Sequence, residues 1–183
     1  MKYIIGTKIG MTQIFDDAGV VIPVTKVKVG PCQVTQVKTK DTDGYNAVQI
    51  GFKPKKKISK SLTGHLKGLP AFSYLKEVRL PEGETSERGR LIDASCFSEG
   101  DKVRVSGVTK AKGFQGVVKR HDFAGSPATH GHKDQLRMPG SIGAGGVQKV
   151  FKGMRMAGRM GGENMTIGTL VISKIDLENS EIY

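Results

Sequence analysis

The sequence predicts a mainly β protein, a small closed or nearly closed barrel that carries a basic insertion and a long glycine-rich basic extension. Short segments in which apolar and polar residues alternate recur along the chain, and acidic-glycine turn signals separate them. The stretch 109–164 follows neither the strand nor the helix period. With 183 residues the chain suffices for one domain with a hydrophobic core, or one domain plus an appendage.

The N-terminal MKYIIGTKIG is a short, apolar, β-rich pattern without the extended apolar stretch or small-residue cleavage site of a signal peptide. VVIPVTKVKV (20–29) and CQVTQVKT (32–39) alternate with the period of a half-buried strand, and YNAVQIGF (45–52) follows as another. DDAG (16–19) and DTDG (41–44) supply turns, each with a glycine available for positive φ. Pro23 cannot donate to a ladder, so its strand is expected at an edge or a bulge there. PKKKISKSLTGHLKGLPAF (54–72) breaks the rhythm. Ser59 or Ser61 is placed to cap a short helix through Leu66 and Leu69 that Pro70 ends, making 54–73 a basic, partly helical insertion. YLKEVRL (74–80) is again a strand and PEGETSERGR (81–90) a polar loop, while DKVRVSGV (101–108) and TIGTLVISKIDL (166–177) return to alternation. Many short antiparallel strands with regular turns point to the barrel. The body is thus 1–106 with 165–183, and the extension is 107–164.

Charge is segregated on this frame. The net charge is +12, yet 107–163 holds ten Lys or Arg against three acids, and 53–67 holds six Lys and no acid. The remaining 111 residues carry 13 basic and 14 acidic side chains and are close to neutral. A solvated face interleaves both signs, whereas clustered cations on a basic chain are the electrostatic footprint of a nucleic-acid binder. The extension also has Phe114, Phe123, Phe151 and methionines at 138, 154, 156, 160 and 165, which a mere linker would lack. Thirteen glycines in 107–164 let its backbone approach a phosphate-rich surface closely. No apolar run reaches the roughly 20 residues of a membrane helix. Cys32 and Cys96, far apart and in apolar surroundings, offer neither a disulfide framework nor a CxxC zinc site and read as reduced thiols.

HDFAGSPATHGHKDQLRMPGSIG (121–143) holds three of the four histidines and invites a metal reading. His130 and His132 are i and i+2, and His121 and Asp134 lie close in sequence. No acid-rich surroundings are in evidence to orient the imidazoles, however, and Lys133 is a repelling cation. RNA contacts explain the same histidines with fewer assumptions. GSIGAGG (140–146) fails as a dinucleotide fingerprint, because Gln148 stands where the third glycine belongs, and no P-loop Gly-Lys-Ser/Thr exists. Ser126 and Ser141 near His130 lack the elbow of a nucleophile. No catalytic residue, metal or cofactor is expected.

GTKIGMTQIFDD, PCQVTQVKT, DGYNAVQIGF, EGDKVRVSGVTKAKGFQGVVKRHDF, GSPATHGH, RMPGSIG and FKGMRMAGRMGGE occur in this order over the whole chain. Together they resemble the universal large-subunit ribosomal protein three family in its bacterial form. The resemblance implies a body similar to the β-barrel of translation factors, with an inserted subdomain. It implies an arm that threads into 23S ribosomal RNA toward the peptidyl transferase centre, and a structural, early-assembling protein of the cytoplasmic 50S subunit near ribosomal proteins fourteen and nineteen. It implies no membrane and no small-molecule substrate. Lys110, Lys112, Lys119, Arg120 and His121 would then enter along phosphates, with His130, His132, Lys133 and Arg137 in the distal part and Lys149, Lys152, Arg155 and Arg159 on the return. Lys53, Lys55, Lys56, Lys57 and Lys60 would form a second RNA-contacting cluster. Many bacterial members carry a methyl-accepting glutamine directly after GSIG, where this chain has Ala144, so that modification is expected to be absent. Members also continue past the strand at 166–177 with another hairpin and a basic tail, whereas this chain ends in NSEIY.

Overall fold

The computed structural model describes residues 2–81, 83–84 and 86–183. Glu82 and Thr85 of the expected polar loop lie outside them. The chain forms two compact units, Met1–Val103 with Thr169–Tyr183, and Arg104–Gly168.

In the first unit, β1 (Gly6–Phe15) and β2 (Val21–Val29) pair antiparallel from Gly6 opposite Val29 to Phe15 opposite Val21. The predicted DDAG turn joins them, with Gly19 donating to the Asp16 carbonyl at 2.8 Å and adopting φ 76°. β3 (Cys32–Lys38) leads into α1 (Lys40–Asp43), so DTDG is a single helical turn rather than a bare turn. Gly44, at φ 80°, closes it by donating to the Lys40 carbonyl. β4 (Ala47–Pro54), α2 (Lys60–His65), β5 (Phe72–Arg79) and β6 (Leu91–Ile92) follow, and then a 3-10 turn at Ala94–Cys96. β7 (Lys102–Val108), β8 (Phe114–Gln115), α3 (Val117–His121), β9 (Gly158–Arg159) and β10 (Asn164–Val171) come next, and β11 (Ile175–Asp176) and β12 (Glu181–Ile182) end the chain.

The fold is mainly β, as the alternation implies, but the strands form separate antiparallel sheets, and no closed barrel is present among the described residues. One sheet has the order β1-β2-β12-β11 and another β5-β4-β3-β6, while β7 pairs with β10 and β8 with β9. The reason is the length of the outer partners. β12 reaches only Val27 and Lys28 of β2, and β6 only Cys32 and Gln33 of β3, too few rungs to join the sheets. Pro23 pairs with Gln13 on β1 and lies beyond the reach of β12, so no ladder bond on that side needs its missing N–H. The expected single strand over 166–177 breaks after Val171. Ile172 is buried and donates to the Asp101 carbonyl at 3.0 Å while accepting from Gly100 at 2.8 Å, which removes it from the β10 ladder.

The core lies on the second sheet. Cys32, Val34, Val48, Ile50, Phe52 and Ile92 form it, with Ile4, Ile5, Val37, Val78, Leu80 and Cys96 packed around. Burying a side chain of the Val or Ile type stabilises by about 1.5–3 kcal/mol. Burial pushes the Cys32 thiol above its ordinary range, which suits a packing role.

Candidate nucleic-acid interface

The first basic segment is built on the end of β4. Lys53 adopts φ 58°, a left-handed conformation inside β4, after which Pro54 still pairs with Phe72, and Lys53, Lys55, Lys56, Lys57 and Lys60 are all exposed. Ser59 caps α2 by accepting from the Leu62 amide at 3.4 Å, and buried Leu66 anchors the insertion. The helix stops at His65, short of the expected Leu69. Arg88 holds the insertion from outside, donating Nε to the Thr35 carbonyl at 2.9 Å and Nη2 to the Lys67 carbonyl at 2.9 Å. A lone arginine in a polar loop carries no sequence signal for that role.

The second segment is not structureless at its base, contrary to what its lack of period suggests. Beyond β7 and β10, Thr109 donates to the Glu163 carbonyl at 3.0 Å and Gly162 to that of Thr109 at 3.2 Å. Lys112 donates to the Met160 carbonyl and Met160 to that of Gly113, both at 2.9 Å, and the ladder runs on to Gln115 opposite Gly158. Gly161, at φ 70°, makes this closure possible, because a Cβ there would collide with the Lys110 carbonyl. Glycine-rich two-residue pairings give no periodic signal, which is why the stem is invisible in the pattern.

Past the stem, α3 buries Val117, and Asp122 ends it at φ 57°. Arg120 Nη1 donates to the Met156 carbonyl at 2.7 Å, and His121 Nε2 donates to the same oxygen at 3.1 Å. Gly158 leaves room for that guanidinium, since a Cβ would lie 2.5 Å from Nη1. Arg155 lies over the Phe123 ring, 5.1 Å from its centroid. From 127 to 155 every residue is exposed except half-buried His132, and the one long backbone closure that borders this part is Ser126 donating to Leu136.

Among the described residues, no Lys or Arg of 107–163 or of 53–67 has a carboxylate within ion-pair distance. The recorded pairs, Lys2 with Asp101, Lys26 with Glu181 and Lys38 with Glu77, all lie in the first unit. No group of three His, Cys, Asp or Glu side chains among the described residues could hold a metal ion.

The family model described as Ribosomal protein L3 matches residues 84–181. The large ribosomal subunit protein uL3 of Herpetosiphon aurantiacus is 49% identical to this chain, over 98% of the chain and 86% of that protein. That of Chlorobaculum tepidum is 50% identical, over 100% and 90%. The chain belongs to the ribosomal protein L3 family. The uL3c protein of Porphyra purpurea, 47% identical over 96% of the chain, extends the likeness.

An L3-family chain is a structural constituent of the ribosome, not an enzyme. Within it the sequence-selected side chains divide in two. Lys110, Lys112, Lys119, His130, Lys133, Arg137, Lys149, Lys152, Arg155 and Arg159 are exposed, as are the five lysines at 53–60. Arg120 and His121 instead point back to Met156 and staple the two legs of the arm together. Alternation and charge counts report which cations exist, not which of them are committed inside the chain. No helix among the described residues is long and apolar enough to cross a membrane.

Proposed function

We propose that this protein binds 23S ribosomal RNA in the large subunit, supports early subunit assembly and reaches toward the peptidyl transferase centre. The observation that carries this reading is an extended segment with ten cations, no internal ion pair among the described residues and two exposed phenylalanines, Phe114 and Phe151. The arm is 107–164, and the body, 1–106 with 165–183, is a relative of the translation-factor barrel bearing the basic insertion 54–73. Lys110, Lys112 and Lys119 meet phosphates on entry, His130, His132, Lys133 and Arg137 lie distally, and Lys149, Lys152, Arg155 and Arg159 line the return. Lys53, Lys55, Lys56, Lys57 and Lys60 add a second phosphate contact. Arg120 and His121 reach RNA only through their unbonded edges. Ribosomal proteins fourteen and nineteen are its neighbours.

Phosphate neutralisation supplies affinity, and the fixed shape of the RNA supplies specificity. Ordering the distal arm costs about 1–2 kcal/mol per residue, which contacts with the partner offset. Competition tests the reading. Unlabelled 23S RNA should displace labelled 23S RNA far better than bulk RNA at equal nucleotide concentration, and equal displacement would reduce the protein to a general RNA binder.

A further inference from the structure

Between the insertion and β3 lies an open cleft of about 430 Å³, a volume in the range of roughly 300–1,000 Å³ usual for small-ligand sites. Gln36 and Val37 line it from β3, His65 and Lys67 from the insertion, and Arg88 from the loop after β5, and no acid is among its lining residues. None of these five belongs to the phosphate-contacting set assigned above.

The cleft is ordered from behind. Thr35, 1% exposed, donates Oγ1 to Gln49 Oε1 at 2.8 Å, and His65 Nε2 meets the same oxygen at 2.8 Å. An amide oxygen only accepts, so Nε2 carries the proton, and Nδ1 is left for another partner. The imidazole is thereby fixed to the sheet through a buried hydroxyl. Arg88 is fixed as well, with Nε on the Thr35 carbonyl and Nη2 on the carbonyls of Lys67 and His65. Its Nη1 keeps its N–H donors for an anion. Lys67 adds an ammonium with no ion pair among the described residues.

A bare anion would use the two cations alone. The fixed ring and Gln36, which pairs with Gln49 on the same face of the sheet, add what a planar heterocycle needs: a stacking face and a hydrogen-bonding group. On the basis of the RNA-binding function above, we propose that this cleft receives one unpaired RNA nucleotide, its phosphate at Lys67 and Arg88 and its base against His65 and Gln36.

The test is a titration of the full ¹⁵N-labelled chain with adenosine 5′-monophosphate, adenosine and inorganic phosphate in parallel. The monophosphate should move the amide signals of Val37, Gly64, His65 and Lys67 at lower concentration than either fragment. His65→Ala should weaken that binding about fivefold or more, as loss of one stacking partner does. Lys67→Ala should also weaken it, and Lys67→Arg should restore it. Equal shifts from inorganic phosphate alone would leave an anion site and overturn the nucleotide assignment. Unmoved signals in a chain that still prefers 23S RNA would overturn the cleft and spare the RNA-binding function, whereas loss of that preference itself would overturn both.

Discussion

The body has an apolar core of its own, and the arm has almost none. In the first unit Ile50 is 1% exposed and Val34 and Val48 are fully buried, so the sheet carries its own core. In the second, among the described residues, Val117 is the one buried apolar side chain, while Phe114, Phe151, Met138 and Met165 lie open. Charge follows the same division, since the body's recorded ion pairs are internal and the arm's cations have none among the described residues. A region with a core of its own can fold by itself, and one with open apolar groups and unpaired cations is made for a partner.

The sharpest way to break this contrast is through the core. Ile50→Ala should lower the unfolding free energy of the body by about 2–5 kcal/mol, as large-to-small core changes do, measured by urea denaturation. Hydrogen exchange of the amides at 127–155 should stay fast in both proteins. Slow exchange there without RNA would show that the arm is complete by itself after all.

Charge removal comes next in size. Replacing Lys149, Lys152, Arg155 and Arg159 together with alanine should make the slope of log affinity against log salt shallower by about 3, at roughly 0.7–0.9 per phosphate contact. The body's thermal midpoint should not move. An unchanged slope would take these residues off the phosphates.

A smaller effect is expected at the arm's staple. Gly158→Val forces the Arg120 guanidinium off the Met156 carbonyl, a charged hydrogen bond of about 1.5–3 kcal/mol. Faster exchange should appear at Lys112 and Met160, the donors that close the stem beside it, and the body should remain as it was. The least change is expected from Lys26→Met. The hydrogen bond from Lys26, at 2.7 Å, is the main cause that holds the Glu181 carboxyl below its usual 4.5, and Tyr183 Oη donates to the same carboxylate at 2.9 Å. A depressed carboxyl contributes stability that is present above its unfolded value and lost as pH falls through the folded one. The variant should therefore be less stable than the parent at neutral pH and equal to it in strong acid. A stability gap that persists in strong acid, with Glu181 protonated, would place the effect in packing instead.

The strands of the body were legible because alternation over seven or more residues is a local signal, as at 21–29 and 102–108. Barrel closure was not, because it depends on two-residue pairings such as those of β6 and β12, which tertiary context decides. In the interface, the cationic segments could be read from composition alone. The inward turn of Arg120 and His121 could not, since it needs the Met156 carbonyl and the space at Gly158 from the other leg. Arg88 was hidden for the same reason, its partners at Thr35 and Lys67 being remote in sequence.

The stem has a topological consequence. Because its legs are zipped from Thr109 and Glu163 to Gln115 and Gly158, the arm can pass into another molecule only as a closed loop, never end first like a needle. Any passage that admits such a loop has to take two lengths of chain side by side, with the turn leading. Those few backbone bonds therefore set the gauge of the channel that the arm can use.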